Sequence, residues 1–229
     1  VNSINYINTG VILRVLPRIN EAVNEEWASA KTRHAVDGLV RNRLDRPYVR
    51  KFGKLVRASR EEAFAVIART MQGATGDQVA AVAGDLVEVA AVFALKALLE
   101  RYRSGLHECR QDGARFAISS PGAYRFNATI AGLGSARAIL LVGTNPRWEA
   151  PLVNTRIRKA VKAGARVFGI GPEVDLTYPV EWLGEGLSTL EALPDHVKTA
   201  FDGHAGAVIL GMGALAHDGA HAAAGSAAV

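Results

Sequence analysis

Short apolar runs that end in glycine or polar turns recur along the chain, and each is followed by helical spacing. Residues 79–83 form such a run, and one-sided apolar spacing follows over residues 86–103. Residues 138–142 end in a Gly-Thr-Asn-Pro turn and precede an amphipathic stretch at residues 151–163. Repeated strand, turn and helix units of this length predict an α/β fold with a mostly parallel sheet flanked by helices on both faces. Two further strand patterns lie at residues 166–170 and 207–210.

The N-terminal part of the chain has a different pattern. Residues 4–16 alternate apolar and polar positions around Asn8-Thr9-Gly10, which predicts a β-hairpin with a tight turn. Residues 19–50 are highly charged and weakly periodic, which predicts an irregular segment with short helical pieces. Ser59 followed by Glu62 is a capping-box pattern, and it predicts that a helix starts there.

These patterns divide the chain into two expected parts. Residues 1–58 would form the N-terminal β-hairpin and an extended arginine-rich segment, and residues 59–229 an α/β domain. With 229 residues, 49% of them hydrophobic, the chain can form one large domain or two small ones. Residues 222–229 carry no terminating signal, so the domain is expected to be incomplete at its C-terminus. The first residue is Val1 rather than Met, which indicates a processed or cut N-terminus.

Composition and charge narrow the classes of function. Every apolar run is shorter than the ~18–20 residues that a membrane-spanning helix needs, so membrane contact is expected only through partners. The formal net charge is +5, with arginines concentrated at residues 41–60 and 147–166. Aromatic residues are few and no recognition motif accompanies this charge, so nucleic-acid binding is not expected.

The chain has a single cysteine, Cys109. A lone thiol cannot form an internal disulfide, hold an iron–sulphur cluster by itself or build a structural zinc site. The neighbouring His107 and Arg110 would favour a reactive thiolate, but no paired base or second thiol accompanies it. A structural role is therefore the favoured interpretation.

Residues 143–147 (Gly-Thr-Asn-Pro-Arg) form the leading candidate binding loop. Ligands of open α/β sheets sit outside the carboxyl ends of the strands, and this loop follows a predicted buried strand. Residues 211–216 (Gly-Met-Gly-Ala-Leu-Ala) have the shape of a dinucleotide-binding loop after a strand. No acidic residue follows at the distance expected for ribose contact, so a tight strand-to-helix turn is favoured there.

The other chemistry-bearing residues form no catalytic set in the sequence. His217 and His221 have the spacing of a metal-binding pair, but no glutamate stands between them and a solvated pair is favoured. The carboxylate pairs Glu25-Glu26 and Glu61-Glu62 diverge on a helix and are expected to be solvated or to act as caps. Residues 119–124 lack the G-x-S-x-G elbow of a hydrolase. No catalytic role is assigned to the remaining histidines, His34, His107, His196 and His204.

Five separated motifs, in order between about residues 3 and 219, together resemble the large iron–sulphur subunit of respiratory complex I. They are residues 16–27 (LPRINEAVNEEW), 31–39 (KTRHAVDGL), 129–132 (TIAG), 140–151 (LLVGTNPRWEAP) and 174–178 (VDLTY). That family has a ferredoxin-like N-terminal part that carries the clusters, followed by a region similar to molybdopterin oxidoreductases. The present chain resembles the beginning of that second region.

The resemblance implies that this chain carries no cofactor, because the cysteine-rich part of the family is absent from it. Iron–sulphur clusters and FMN are then expected in neighbouring subunits, and no catalytic, cofactor-binding or metal-ligating residue is expected here. The loop at residues 143–147 would be a retained turn without a ligand. In that turn Gly143 would give a tight strand exit, Asn145 local backbone hydrogen bonds and Pro146 a fixed chain direction.

The implied function is structural. The chain would be a non-redox part of the peripheral, NADH-oxidising arm of the proton-translocating NADH:ubiquinone oxidoreductase, and would support the iron–sulphur chain. Its implied partners are other subunits of complex I, above all a cluster-carrying chain that the hairpin and residues 19–50 would contact. The implied location is the matrix side of the mitochondrial inner membrane, or else the cytoplasmic face of a bacterial plasma membrane.

Alternatives to this interpretation stay open at the level of the sequence. A naturally split subunit is the favoured explanation for the missing cysteines, and a piece of a longer chain is its rival. A molybdopterin-dependent oxidoreductase fragment would use Cys109 or a near neighbour to ligate its metal. A free-standing nucleotide-binding module would use residues 211–216.

Overall fold

The chain folds into two compact units. The computed structural model describes residues 2–109, 112–115, 125–203 and 205–216. One unit combines Val1–Asp37 with Asp112–Val229, and the other is Gly38–Gln111. The division between residues 58 and 59 that the sequence suggests lies within the second unit, and it stays a prediction.

The first unit begins with the predicted β-hairpin. Strands β1 (Ser3–Asn8) and β2 (Val11–Pro17) pair antiparallel, with Ser3 opposite Pro17 and Asn8 opposite Val11. Thr9 and Gly10 between them have φ angles of 49° and 80°. Two consecutive positive φ angles are typical of a tight hairpin turn whose twist matches that of the strands. The hairpin is confirmed.

The charged segment after the hairpin is irregular, as predicted. Its short helix α1 (Ala30–His34) begins after Ser29, whose hydroxyl oxygen accepts a hydrogen bond from the Thr32 N–H at 3.1 Å. A 3₁₀ turn over Ala35–Leu39 follows. Up to Leu39 the segment therefore contains only short helical pieces.

The second unit contains a hairpin that the sequence pattern did not predict. Strands β3 (Tyr48–Lys51) and β4 (Lys54–Arg57) pair antiparallel, with Phe52 and Gly53 at positive φ in the turn. Helix α2 (Arg60–Met71) follows it and starts where predicted, because the Ser59 hydroxyl accepts a hydrogen bond from the Glu62 N–H at 3.1 Å.

The rest of the second unit is a small strand–helix–strand arrangement. Strand β5 (Ala81–Val82) leads into helix α3 (Val89–Tyr102), and β6 (His107–Glu108) returns parallel to β5. The predicted strand at residues 79–83 is thus shorter than expected. Its partner is β6, and the pair forms a separate two-stranded sheet.

The main sheet of the first unit has four parallel strands. These are β7 (Ala138–Val142), β8 (Arg166–Ile170), β9 (Glu181–Gly184) and β10 (Gly206–Leu210), in the spatial order β10-β7-β8-β9. Strands β7, β8 and β10 confirm the predicted ones, whereas β9 was not predicted. The helices of this part are α4 (Pro146–Glu149), α5 (Pro151–Lys162), α6 (Asp195–Phe201) and α7 (Met212–Leu215).

Both faces of the sheet are covered by helices, which confirms the predicted fold class. Successive side chains of β7 point to opposite faces, and all five of its residues are buried. Ile139 and Leu141 pack in one cluster with Ile157 of α5. Leu140 packs in the other cluster with Val197 of α6. A strand buried on both faces needs a continuous apolar sequence, and this explains the unbroken run of residues 138–142.

Candidate functional site

The predicted ligand edge is a cleft. Loops at the carboxyl ends of β7, β8, β9 and β10 border a half-open cleft of about 730 Å³, which lies within the ~300–1,000 Å³ typical of ligand pockets. Thr144 and Asn145 line it from the loop after β7, and Pro172 and Val174 from the loop after β8. Trp182 of β9 also lines it. The sheet therefore presents a cavity where open α/β folds bind ligands.

Glycines allow the loops behind the cleft to pack backbone against backbone. Gly143 has a φ of 57°, and its N–H donates to the Ile170 carbonyl at 2.8 Å. Its own carbonyl accepts from the Gly213 N–H at 2.9 Å, and a Cβ on Gly213 would lie 2.7 Å from that carbonyl oxygen. Gly211 is equally constrained, because a Cβ there would overlap Thr144. This packing supports the interpretation of residues 211–216 as a tight strand-to-helix turn.

Glu149 accepts two hydrogen bonds within the loop after β7, whereas the side-chain oxygen of Asn145 accepts none among the described residues. The Asn145 N–H donates to Glu149 Oε1 at 2.6 Å, and Thr144 Oγ1 donates to Glu149 Oε2 at 3.2 Å. The side-chain oxygen of Asn145, Oδ1, is buried and has no hydrogen-bond partner among the described residues. The expected local bonds of Asn145 are therefore made by its backbone, and its buried Oδ1 makes none.

The cleft is acidic. Among the described residues that line it, only Glu149 and Glu185 carry a charge. Arg147 lies in the same loop, but its guanidinium donates to the Asp175 carboxylate at 2.8 Å and to the Asp175 carbonyl at 3.0 Å. The pKa of Asp175 is lowered by a hydrogen bond from the Thr177 N–H and then by Arg147. The nearby cation is thus already paired.

A second polar site joins the N-terminal segment to helix α5. Arg156 Nη1 lies 3.0 Å from Glu25 Oε1, and the two side chains are only 11% and 13% exposed. Arg156 Nη2 donates to the Glu21 carbonyl, and Lys159 Nζ lies 2.5 Å from Glu25 Oε1. Buried charges of this kind are tolerated when they are paired and hydrogen-bonded. We call Glu25, Arg156 and Lys159, together with Asn24, the anchor.

Asn24 holds the N-terminal side of the anchor in shape. It is 2% exposed, and its Nδ2 donates to the carbonyls of Arg18, Glu25 and Trp27 at 3.0, 3.1 and 3.2 Å. Its Oδ1 accepts from the Asn2 N–H at 2.9 Å. One amide thus closes the turn that places the Glu25 carboxylate opposite α5.

Another buried amide extends from the same helix to the last sequence motif. Asn154 Nδ2 donates to the Leu176 carbonyl at 3.3 Å, and Asn154 Oδ1 accepts from the Tyr178 hydroxyl at 2.7 Å. Burial raises the pKa of Tyr178 above its usual value, so its hydroxyl stays a donor. Helix α5 therefore connects two of the five motifs, residues 16–27 and 174–178.

One expectation about a single residue is wrong. Glu25 was expected to be solvated or to act as a cap, but it lies in the largely buried anchor because its backbone turn faces α5. Among the histidines, to which no catalytic role was assigned, His196 has its Nε2 2.5 Å from Glu181 Oε1. Arg166 also contacts Glu181, at 3.1 Å. The sequence pattern could not predict these contacts, because each of them joins residues from separate elements.

The remaining candidates are not brought together. Cys109 is exposed, and its N–H donates to Glu108 Oε1 at 2.9 Å. Among the described residues, no three side chains of His, Cys, Asp or Glu converge as a metal site. Arg110, His204, the His217 and His221 pair and residues 119–124 lie outside the described residues.

Comparison with known protein families identifies this arrangement of sheet and helices. Residues 43–229 match the model of the molybdopterin oxidoreductase family. The chain belongs to the molybdopterin oxidoreductase family. Residues 4–37 match a second model, described as the 4Fe-4S domain of NADH-ubiquinone oxidoreductase NDSU1/NuoG-like proteins. The predicted resemblance to the large iron–sulphur subunit of complex I is confirmed.

Curated relatives agree with both matches. An NADH-quinone oxidoreductase subunit from Rickettsia felis is 40% identical over 216 residues, which cover 92% of this chain and 32% of the relative. The protein of the same name from Rickettsia bellii is 44% identical over 188 residues, which cover 81% of this chain and 28% of the relative. The chain therefore spans about a third of the length of the curated relatives it matches.

One expectation about cofactors is corrected by these matches. The chain was expected to carry none, but the match of residues 4–37 to a 4Fe-4S domain points to iron–sulphur cluster binding in this chain. The expectation rested on the cysteine count. That count shows whether thiolate ligands are present, but it does not detect the parts of a cluster domain that contain no ligand. Residues 4–37 contain no cysteine, so the thiolates that usually hold such clusters are not among them.

The molybdopterin cofactor that the family name implies does not fit the cleft. A nucleotide-bearing cofactor needs cations or free N–H groups for its phosphates. The only charged side chains that line the cleft among the described residues are two glutamates. The N–H groups of Gly143, Gly171 and Gly213 are occupied by the carbonyls of Ile170, Gly184 and Gly143. Three of the glycine N–H groups that line the cleft are therefore closed to a phosphate, and no cation lines it among the described residues.

Proposed function

We propose that this chain is a structural part of the peripheral, NADH-oxidising arm of respiratory complex I, the NADH:ubiquinone oxidoreductase. The observation that carries this proposal is the order of the two family matches, residues 4–37 and then 43–229, along a chain whose relatives are NADH-quinone oxidoreductase subunits. The activity and partners of the complete complex are part of the proposal, because the chain spans about a third of those relatives.

The structural role falls on the anchor. Glu25 lies in the segment that matches the 4Fe-4S domain, and Arg156 lies in the segment that matches the molybdopterin oxidoreductase family. Their buried contact at 3.0 Å fixes one segment on the other. The chain would thereby hold the segment that matches the 4Fe-4S domain in a set position. It contributes no catalytic side chain in this proposal.

The partners would be other subunits of complex I, above all a chain that carries iron–sulphur clusters. The β1–β2 hairpin supports this, because Ile7 and Leu13 are 63% and 64% exposed and a neighbouring chain would cover them. Residues 19–50 supply arginines suited to such an interface.

The proposed location is peripheral, on the membrane side where the complex takes up NADH. This is the matrix side of the mitochondrial inner membrane or, as the bacterial relatives favour, the cytoplasmic face of a bacterial plasma membrane. None of the helices among the described residues combines the length and the apolar character of a membrane span. Contact with the membrane would be made through the complex.

Native purification tests the proposal. We expect an affinity-tagged chain to migrate with a large membrane-bound assembly that oxidises NADH in a native gel. Arg156→Met should lower the amount of tagged chain in that assembly, whereas Arg158→Met, on the same helix but exposed, should not. Migration of the wild-type chain alone, apart from NADH dehydrogenase activity, would overturn the proposal.

A further inference from the structure

We propose that the cleft at the strand ends binds a guanidinium group, carried either by a small molecule or by an arginine side chain. The inference goes beyond the proposed role in complex I and does not depend on it. It rests on three features of the cleft, which are its hydrogen-bond acceptors, its charge and its walls.

Hydrogen-bond acceptors line the cleft. The Glu149 and Glu185 carboxylates line it, together with Asn145, whose Oδ1 is buried without a partner among the described residues. Two donors of the same loop, Thr144 Oγ1 and the Asn145 N–H, are occupied by Glu149. A buried acceptor without a donor is costly, so a ligand that brings N–H groups is favoured over one that brings oxygens.

The charge of the cleft favours a cation from outside this loop. Arg147 cannot serve, because Asp175 already holds its guanidinium through both a carboxylate and a carbonyl oxygen. Anions are disfavoured because the N–H groups of Gly143, Gly171 and Gly213 are occupied and the charged side chains of the described lining residues are both carboxylates. Two carboxylates, with no cation among the described lining residues, therefore complement a positively charged ligand.

The walls distinguish a guanidinium from an ammonium ion. Ile170, Val174 and Leu187 line the cleft together with the aromatic residue Trp182. A guanidinium is planar, weakly hydrated and stacks on aromatic rings, whereas an ammonium is compact and strongly hydrated. Its several N–H groups can also donate to more than one acceptor oxygen at the same time. The volume of about 730 Å³ leaves room for the chain that carries the group.

Calorimetric titration of the full 229-residue chain with chosen probes tests this site. We expect agmatine and N-acetyl-arginine methylamide to bind, and the matching citrulline amide, an uncharged near-isostere, to bind at least about fivefold more weakly. Tighter binding of agmatine would identify a small-molecule ligand, and tighter binding of the arginine amide would identify a peptide side chain. Guanosine monophosphate serves as the anionic probe and should not bind.

Two matched variants locate the site. Glu185→Gln keeps the shape of an exposed lining residue and removes its charge, so binding of the guanidinium probes should weaken about fivefold. Glu191→Gln, an exposed residue of the same unit that does not line the cleft, should leave binding unchanged. Equal weakening by both variants, equal binding of the citrulline amide, binding of the nucleotide alone, or no binding of any probe would overturn the proposal.

Discussion

The anchor and the cleft both remove polar groups from water, but they differ in how completely those groups are paired. At the anchor, the Arg156 guanidinium contacts the Glu25 carboxylate and the Glu21 carbonyl, and the Asn24 amide makes four hydrogen bonds. In the cleft, Asn145 Oδ1 is buried without a partner in the described part of the chain. Both sites lie in the same unit.

This difference separates a structural polar site from a candidate binding site. A buried polar group that is fully paired has its hydrogen-bond partners within the chain. Removing one of these partners leaves the others buried without a hydrogen bond, which is costly. A buried group without a partner has unused capacity that a ligand can satisfy. Substitutions at the anchor should therefore cost stability, and removing the unpaired acceptor of the cleft should cost little.

The largest effect is expected from breaking the charged contact of the anchor. Arg156→Met keeps much of the side-chain volume but leaves the Glu25 carboxylate, 13% exposed, with Lys159 as its remaining cation. We expect the free energy of unfolding in urea to fall by about 3 kcal/mol. Arg158→Met on the exposed side of the same helix should change it by less than about 0.5 kcal/mol. Equal losses in the two variants would show that the contact between Arg156 and Glu25 does not contribute this stability.

Removing the buried amide of the anchor should cost somewhat less. Asn24→Ala removes four hydrogen bonds, three to backbone carbonyls and one from the Asn2 N–H, so we expect a loss of about 2 kcal/mol in urea unfolding. Asn5→Ala, in the exposed strand β1, is the matched control and should lie within about 0.5 kcal/mol of the wild type. A loss at Asn24 no greater than at Asn5 would contradict the assigned role.

A methyl group added behind the cleft should have an intermediate effect. The Cβ of Gly213→Ala would lie 2.7 Å from the Gly143 carbonyl oxygen, so the two loops must move apart. We expect the protein to lose about 1.5 kcal/mol of stability in thermal unfolding. Gly134→Ala has open space around the new Cβ and should not destabilise the protein beyond about 0.5 kcal/mol. Tolerance of both would show that the loops pack less tightly.

A pair of asparagines makes the comparison directly. Asn145→Leu removes an acceptor that has no partner among the described residues, so stability should stay unchanged or rise by up to about 1 kcal/mol. Asn154→Leu removes an amide bonded to the Leu176 carbonyl and the Tyr178 hydroxyl, so stability should fall by about 2 kcal/mol. Thermal unfolding of the two variants checks this, and a reversed order would contradict the distinction between the sites.

An exposed ion pair gives the smallest expected effect. Hydrogen bonds from His196 and then Arg166 hold the pKa of Glu181 below its usual value. A carboxylate with a lowered folded-state pKa contributes stability above its unfolded pKa, and that contribution is lost as the pH falls through the folded value. We therefore expect Glu181→Gln to lose slightly less stability than the wild type between about pH 6 and about pH 3. Glu191→Gln should follow the wild type in the same urea titrations.

Much of the fold follows from local pattern. The β1–β2 hairpin has a turn dipeptide and alternating strands, and the unbroken apolar run at residues 138–142 fits a strand covered on both faces. The β3–β4 hairpin and β9 were missed for the opposite reason. Each strand has only four residues and carries charges or a bulky indole, so its alternation is too short to stand out.

The candidate site was only half predictable. Its position at the end of β7 follows from the rule for strand ends, and residues 143–147 do line the cleft in part. The anchor could not be derived, because Glu25 and Arg156 are distant in sequence and meet only in the folded chain. The cysteine count likewise gave no information on the match of residues 4–37 to a cluster domain.

A double-mutant cycle between Glu25 and Arg156 tests the central claim, that a buried ion pair joins the N-terminal segment to helix α5. Glu25→Gln, Arg156→Met and the combined variant are unfolded in urea beside the wild type. If the contact at 3.0 Å joins the two segments, the coupling energy should exceed about 1 kcal/mol. Additivity within about 0.3 kcal/mol would contradict the account.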